Sequence, residues 1–332
     1  MVFIIIKMKK GENDMREQKL LINKTEISSR IVLPPMATSK AADGEVSQEL
    51  CDYYQARSAN KNIGLIITEH CYVDKKGKAS KNQVSVAEDR YIEGLRKLAN
   101  TIHKAGDTKV FVQISHAGGN ADIEVNGGVL YSASATQFKK GMSKELSINE
   151  IHEITDRFVK AAARVKQAGF DGVEIHSAHG YLLNQFYSPL CNKRTDEYGS
   201  QNIENRTRFL REVIGAVRKE VGDDFPISVR LGGCDYMEGG SSIADAVAAA
   251  REIEKAGADM ISLTGGFNGY VRKDVSEPGY FKDMSKPVKE SVRIPVLLTG
   301  GVKDYDTADR LLKEGVADMI GIGRALFAKP EL

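Results

Sequence analysis

The chain has 332 residues, 42% of them hydrophobic and 28% charged, and its 47 basic and 45 acidic residues leave a formal net charge of +2. This is an ordinary globular composition: near-balanced charge gives no basic footprint for nucleic acid, and no run approaches the roughly 18 apolar residues that a membrane helix needs. Cys51, Cys71, Cys191 and Cys234 are scattered without a CxxC pair, which argues against a disulfide scaffold, a zinc ribbon or an iron-sulfur cluster and fits a reducing, cytoplasmic setting.

Met1 to Ile6 place a short apolar run ahead of Lys7 to Lys10, the reverse of a secretory signal's order. Residues 1–18 are therefore expected to be a disordered N-terminal extension and residues 19–332 a single domain. Beyond Lys19, short β-branched runs alternate with longer amphipathic stretches. The expected strands are Ile31 to Leu33, Gly64 to Thr68, Lys109 to Ser115, Gly172 to His176, Pro226 to Leu231, Asp259 to Thr264, Pro295 to Thr299 and Asp318 to Ile322. Between them lie helical stretches such as Ser47 to Asn60, Tyr91 to Ala105, Asn149 to Ala168, Ile203 to Val221, Ile243 to Ala256 and Tyr305 to Lys313, five of them closed by Gly106, Gly169, Gly222, Gly257 and Gly315. Eight even β-then-α units predict an α/β fold, a (β/α)8 TIM barrel, over a doubly wound sheet. The extra length falls after the third and fourth strands, Ala117 to Ser147 and Ala178 to Gln201, at the barrel face where active sites form, so both are candidate lids or binding loops.

Alternation along the fourth strand turns Glu174 and His176 to the barrel interior, and Ser228 with Arg230 on the fifth strand follow the same logic. Glu174 reads first as part of a structural ion pair, whereas Arg230, nearer the rim, suits a functional charge. His70, His116, His176 and His179 all fall at strand ends. Any one of them alone reads equally well as a satisfied structural histidine. His176, His179 and Tyr181 crowded together suit polarising a carbonyl and protonating the atom beside it. Thr299-Gly300-Gly301 and Gly321-Ile322-Gly323-Arg324 end the last two strands, where barrels often bind phosphate through glycine N–H groups with an arginine fork, although plain tight turns would also place glycines there. No GxGxxG follows any strand, so a Rossmann dinucleotide site is not expected.

The run Val173-Glu174-Ile175-His176-Ser177-Ala178-His179-Gly180-Tyr181-Leu182, continued by Ser188 to Gly199 and Glu204-Asn205-Arg206, resembles the signature of the old yellow enzyme family of flavin-dependent ene-reductases. Further matches run from Arg30-Ile31-Val32 and Pro35-Met36, through Gln113 and His116-Ala117-Gly118, to the Thr299 and Gly321 segments. The resemblance implies non-covalent FMN, its phosphate held near Gly300, Gly301 and Gly323 with Arg324. It also implies Pro35 and Met36 along the ring, Gln113 on the pyrimidine edge, and Arg230 beside N1 and O2, where a cation stabilises the reduced flavin. His176 and His179 correspond to the pair gripping a substrate carbonyl or nitro oxygen, and Tyr181 to the proton donor. Ala37 stands beside the flavin where relatives often carry Cys or Thr, Ser39 where Tyr is frequent and Gly119 where Arg is common; His70, where a small residue is usual, is counted with Ala37 among the cofactor-binding residues, placed to reach the same flavin edge from strand two.

Three functions are thus in view. The first is an FMN-dependent NAD(P)H oxidoreductase reducing activated alkenes (enones, nitroalkenes or enoates) by ping-pong hydride transfer through flavin N5, with NAD(P)H and the small-molecule alkene acceptor using one pocket in turn. The second is a metal-dependent hydrolase barrel built on His70, His116, His176 and His179, although Pro34-Pro35-Met36-Ala37 at the end of strand one supply no ligand. The third is a flavin-binding sensor without enzymatic activity. A homo-oligomer is compatible with such a barrel, and no interface is legible.

Overall fold

The computed structural model describes residues 14–332. Eight parallel strands close into a barrel: β1 (Ile31–Leu33), β2 (Leu65–Tyr72), β3 (Lys109–Ser115), β4 (Gly172–Ser177), β5 (Ile227–Cys234), β6 (Met260–Gly265), β7 (Val296–Leu298) and β8 (Met319–Gly321), with β8 pairing back onto β1. The helices that follow them in turn are α1 (Gln48–Ser58), α2 (Ile92–Ala105), α3 (Ile148–Gln167), α4 (Ile203–Val221), α5 (Ile243–Lys255), α6 (Lys282–Ser291), α7 (Tyr305–Lys313) and α8 (Arg324–Ala328). Side-chain caps start several of them, including capping boxes at Ser147 with Glu150 and at Ser242 with Asp245. Gly169, Gly222, Gly257 and Gly315 stop their helices at positive φ. Gly106 is extended instead, and there a Cβ would sit 2.3 Å from the Ser58 carbonyl.

Strand alternation sorts the apolar residues into two cores. Ile31, Ile66, Val110, Val112, Ile175 and Val229 face the helices, whereas Val32, Leu65, Ile67, Phe111, Met260, Leu297 and Met319 fill the barrel's lower interior. Ile22 and Ile27 join that interior cluster from an antiparallel hairpin, Leu20–Ile22 with Thr25–Ile27, that forms the barrel's floor.

Most of the expected N-terminal extension, residues 1–13, lies outside the described residues. Its last part, Asp14–Gln18, lies against α7. The Met15 N–H donates to Asp309 Oδ1 at 2.8 Å, the Arg16 guanidinium stacks 5.1 Å over the Tyr305 ring, and the Arg30 N–H donates to the Arg16 carbonyl.

The long segment after β3 folds into a three-stranded sheet of Leu130–Ser132, Gln137–Phe138 and Gly141–Glu145. Arg194, from the segment after β4, donates through Nη1 to the Ala133 and Leu146 carbonyls at 3.2 and 2.6 Å and pairs with Asp196. The two long loops are thus sewn together into a wall beside the barrel mouth. Much of the signature between Ser188 and Gly199 serves this wall: Asn192 Nδ2 donates to the Phe186 and Tyr198 carbonyls, and Tyr198 Oη donates to Glu212.

Candidate active site

Above the apolar floor the barrel interior becomes polar in layers set by strand register. Gln113, Glu174 and Ser228 lie side by side on β3, β4 and β5, and one layer higher His176, Arg230 and Ser262 align across β4, β5 and β6. In the lower layer Glu174 is fully buried and accepts from Gln113 Nε2 and from Ser228 Oγ, both at 2.8 Å. Glu174 is therefore held by an amide and a hydroxyl, with the Arg230 charge opposing the burial that raises its carboxyl above the usual range. Because that carboxylate takes the Gln113 amide N–H, the Gln113 carbonyl oxygen is left to face other partners.

The upper layer behaves differently. Arg230 is 5% exposed, yet its Nε and Nη1 have no partner, and His176 Nδ1 and Ser262 Oγ beside it are likewise buried and unpaired. Buried donors are seldom left unsatisfied. A row of them across three adjacent strands fits a planar, acceptor-rich ring such as the pyrimidine edge of FMN.

His176, His179 and Tyr181 cluster at the end of β4. Ring centroids stand 5.1 Å apart for His176 and His179 and 4.9 Å for His176 and Tyr181. His179 and Gly180 take φ values of 55° and 69°, so the chain turns back sharply after the strand. The Gly180 carbonyl accepts from Asn120 Nδ2 at 2.8 Å and from Gln185 Nε2 at 2.6 Å, while its N–H donates to Asn184 Oδ1 at 2.8 Å. His179 Nε2 lies 3.0 Å from Thr264 Oγ1. Burial holds both imidazoles well below their usual range, with the neighbouring imidazoles and the Arg230 charge further disfavouring protonation, and pushes the Tyr181 phenol up to about 12. The cluster is thus neutral and rich in donors.

The glycine segments meet at the β7–β8 edge. Gly300 and Gly301 have φ of 123° and 75°, and a Cβ on either would press into Tyr280. A Cβ on Gly323 would meet Met36 Sδ at 3.3 Å and Pro34 Cγ at 3.4 Å, so the loop after β1 crosses directly over the start of α8, where Arg324 stands exposed. That loop carries Pro35, Met36 and Ala37. It is pinned by Thr38, whose N–H and hydroxyl both donate to the buried Glu69 carboxylate, at 3.2 and 2.6 Å.

The four-histidine metal reading does not survive this geometry. His116 points away from the cluster, its Nδ1 accepting the Gly118 N–H at 3.1 Å beneath Gly77, where a Cβ would touch the imidazole. Among the described residues no group of three or more His, Cys, Asp or Glu side chains is placed to share a metal ion. Gly119 also finds its reason here: a Cβ there would fall 2.1 Å from the Phe138 ring of the three-stranded sheet.

Sequence reading missed the Thr38–Glu69 clasp, the Gln83 contact to His70, Thr264 beside His179, and the aromatic cover given by Tyr280. A β-bulge explains the first two. The β2–β3 register slips between Thr68 and Cys71, so β2 carries an extra residue and continues to Tyr72 beyond its expected end. The polar run Thr68-Glu69-His70 reads as the strand's end, although the strand resumes at Cys71 after the bulge.

A parallel (β/α)8 barrel with neutral imidazoles, a phenol and an unpaired buried guanidinium at its mouth, and glycines at its last two strand ends, defines a flavin-binding oxidoreductase barrel. The chain belongs to the NADH:flavin oxidoreductase / NADH oxidase family, that of old yellow enzyme, whose model matches residues 19–332. It is 40% identical over 315 residues to an NADH oxidase of Thermoanaerobacter brockii, covering 92% of this chain and 48% of that protein. It is 36% identical over 316 residues to an NADPH dehydrogenase of Bacillus subtilis, covering 94% and 90%. The chain thus spans about half the length of the first relative and most of the second. Among solved structures it resembles a 2-naphthoyl-CoA reductase bound to 2-naphthoyl-CoA, with TM-score 0.91, 26% identity and coverage of 97% of this chain and 52% of that one. It also resembles the old yellow enzyme homologue from Zymomonas mobilis, with TM-score 0.81, 25% identity and coverage of 95% and 90%. FMN and NAD(P)H are the cofactors of this family. No helix among the described residues is long and apolar enough to cross a membrane.

Proposed function

We propose that this chain reduces the carbon–carbon double bond of small activated alkenes at the expense of NAD(P)H. The observation that carries the reading is the cluster of His176, His179 and Tyr181 standing over the unpaired Arg230 guanidinium. FMN, when bound, supplies the two-electron carrier between nicotinamide and acceptor. Arg230, Gln113, Pro35, Met36 and Ala37 would hold its ring, and Gly300, Gly301, Gly323 and Arg324 its phosphate, with the Arg230 charge favouring the electron-rich form.

The two histidines hold the oxygen of the activating group. Because burial keeps them neutral, each offers an N–H at no cost in titration, and the bonds strengthen as negative charge gathers on that oxygen. Tyr181 then gives its phenolic proton to the adjacent carbon. A phenol pushed up to about 12 remains protonated at neutral pH, and a carbanion is basic enough to take its proton. The same pocket receives the nicotinamide first, and exchange of the two ligands gives ping-pong kinetics.

Anaerobic stopped-flow work tests this. Tyr181→Phe should leave reduction of the bound flavin by NAD(P)H nearly unchanged and slow reoxidation by an alkene by roughly 10²- to 10⁴-fold. Equal losses in both halves would remove Tyr181 from the proton step, and failure of every enone, nitroalkene and enoate to reoxidise the wild-type flavin would defeat the proposal itself.

A further inference from the structure

His70 is the one imidazole at the mouth to which no step above gives a task. Its ring lies 5.5 Å from Tyr181 and 6.4 Å from His176, across the cluster from His179. The bulge in β2 places it there, directly after the Glu69 that clasps the β1 loop.

The hydrogen bonds behind the ring fix its tautomer. The Ala79 backbone N–H can only donate, and it donates to Gln83 Oε1 at 2.7 Å, which settles the orientation of that amide. Gln83 Nε2 is therefore the donor. It reaches the His70 carbonyl at 3.1 Å and His70 Nδ1 at 2.8 Å. Nδ1 also lies 3.3 Å from Ser115 Oγ, whose hydroxyl can donate as well as accept, but the Gln83 N–H at 2.8 Å can only donate, so Nδ1 accepts and in the neutral ring the proton resides on Nε2. Burial pushes this imidazole down to about 4, and the neutral form prevails at working pH. The mouth thus holds a third neutral N–H donor, carried on β2 rather than β4 and locked by residues that do not themselves enter the pocket.

Resting on the alkene-reductase reading, we infer that His70 is a substrate-orienting residue that donates to a second oxygen, and that the preferred acceptors activate their double bond with a two-oxygen group, a carboxylate or a nitro group. A single carbonyl oxygen occupies the His176–His179 pair and leaves the third donor unused. A carboxylate or nitro group presents a second acceptor on the same carbon or nitrogen, towards the opposite strand. The buried Arg230 charge adds a favourable field for such a group.

The test compares cinnamaldehyde, β-nitrostyrene and cinnamate, which share a carbon skeleton, as ligands of the oxidised holoenzyme, with Kd read from the change in flavin absorbance. His70→Phe, which keeps a ring and removes the donor, should weaken nitrostyrene and cinnamate by roughly fivefold to tenfold, the scale of one net hydrogen bond, and the aldehyde by less than about twofold. His70→Gln should restore most of the loss. Gln83→Leu, which frees the tautomer without touching the pocket, should give a smaller loss with the same ligand pattern. In the wild type, ¹⁵N shifts of labelled histidine should show Nδ1 of His70 unprotonated.

Equal losses for all three ligands, no loss in His70→Phe, no detectable binding of either two-oxygen ligand, or a proton on Nδ1 would each overturn the inference. The nitro and carboxylate arms separately show whether the second oxygen must be charged. Because binding is measured without turnover, the expected pattern with no alkene reduced would sink the catalytic reading alone. Reduction of alkenes by the wild type together with unchanged ligand Kd values in His70→Phe would sink this one alone.

Discussion

His116 is 2% exposed, and burial pushes its imidazole down to about 4 while an ordinary histidine in the unfolded chain titrates near 6.5. Between those values the unfolded chain binds a proton that the folded chain refuses, so stability falls as pH drops through that window. At pH 5 the penalty for this one group is on the order of 2 kcal/mol. Glu69 and Glu174, raised by burial, act the other way: their cost to stability is present at neutral pH and is relieved as pH falls through their folded pKa values. His116→Gln keeps an acceptor for the Gly118 N–H and cannot titrate, and both proteins share the carboxylates. Urea unfolding of the two at pH 7 and pH 5 should therefore show a smaller loss in the variant, by about the same 2 kcal/mol. Parallel losses would mean that His116 takes up its proton in the fold.

At the scale of elements, strands and helices were legible where composition and stop signals agreed. Lys109–Ser115 and Ile203–Val221 fall as expected, each an uninterrupted periodic run with a defined end. The sixth helix, Lys282–Ser291, went unmarked because Pro287 lies inside it. The three-stranded sheet was expected as loop because its strands are short and its pairing depends on Arg194, a contact distant in sequence. Arg194→Lys replaces a planar fork by a point charge and cannot reach the Ala133 and Leu146 carbonyls together with Asp196. Hydrogen exchange should then quicken across residues 130–146 by roughly tenfold or more, since bonds from a charged donor are worth about 1.5 to 3 kcal/mol each, while the barrel strands keep their protection. Uniform acceleration everywhere would mean that the clamp supports the whole barrel.

Across the whole molecule, floor and mouth are separate constructions that share strands. The clustering of His176, His179 and Tyr181, and of the glycines, could be read in sequence because each falls at a strand end. The floor could not, because the Leu20–Ile22 and Thr25–Ile27 hairpin turns through Asn23 at φ 53° followed by Lys24, without the Asn-Gly pair that marks a tight hairpin. Its work is nevertheless large. Ile27 is fully buried among Val32, Phe111, Met260 and Met319, whereas Leu21, on the hairpin's other face, is 57% exposed. Ile27→Ala should cost about 2 to 5 kcal/mol, because the closed strands around it cannot collapse into the gap, and Leu21→Ala should stay within about 0.5 kcal/mol. The polar layers of Gln113, Glu174 and Arg230 stand between floor and mouth, each fixed by strand register and not by the hairpin. FMN affinity of Ile27→Ala, measured well below its melting temperature, should therefore remain within about twofold of wild type even as thermal stability drops. A parallel fall in both would show that the hairpin tunes the mouth through the barrel's interior.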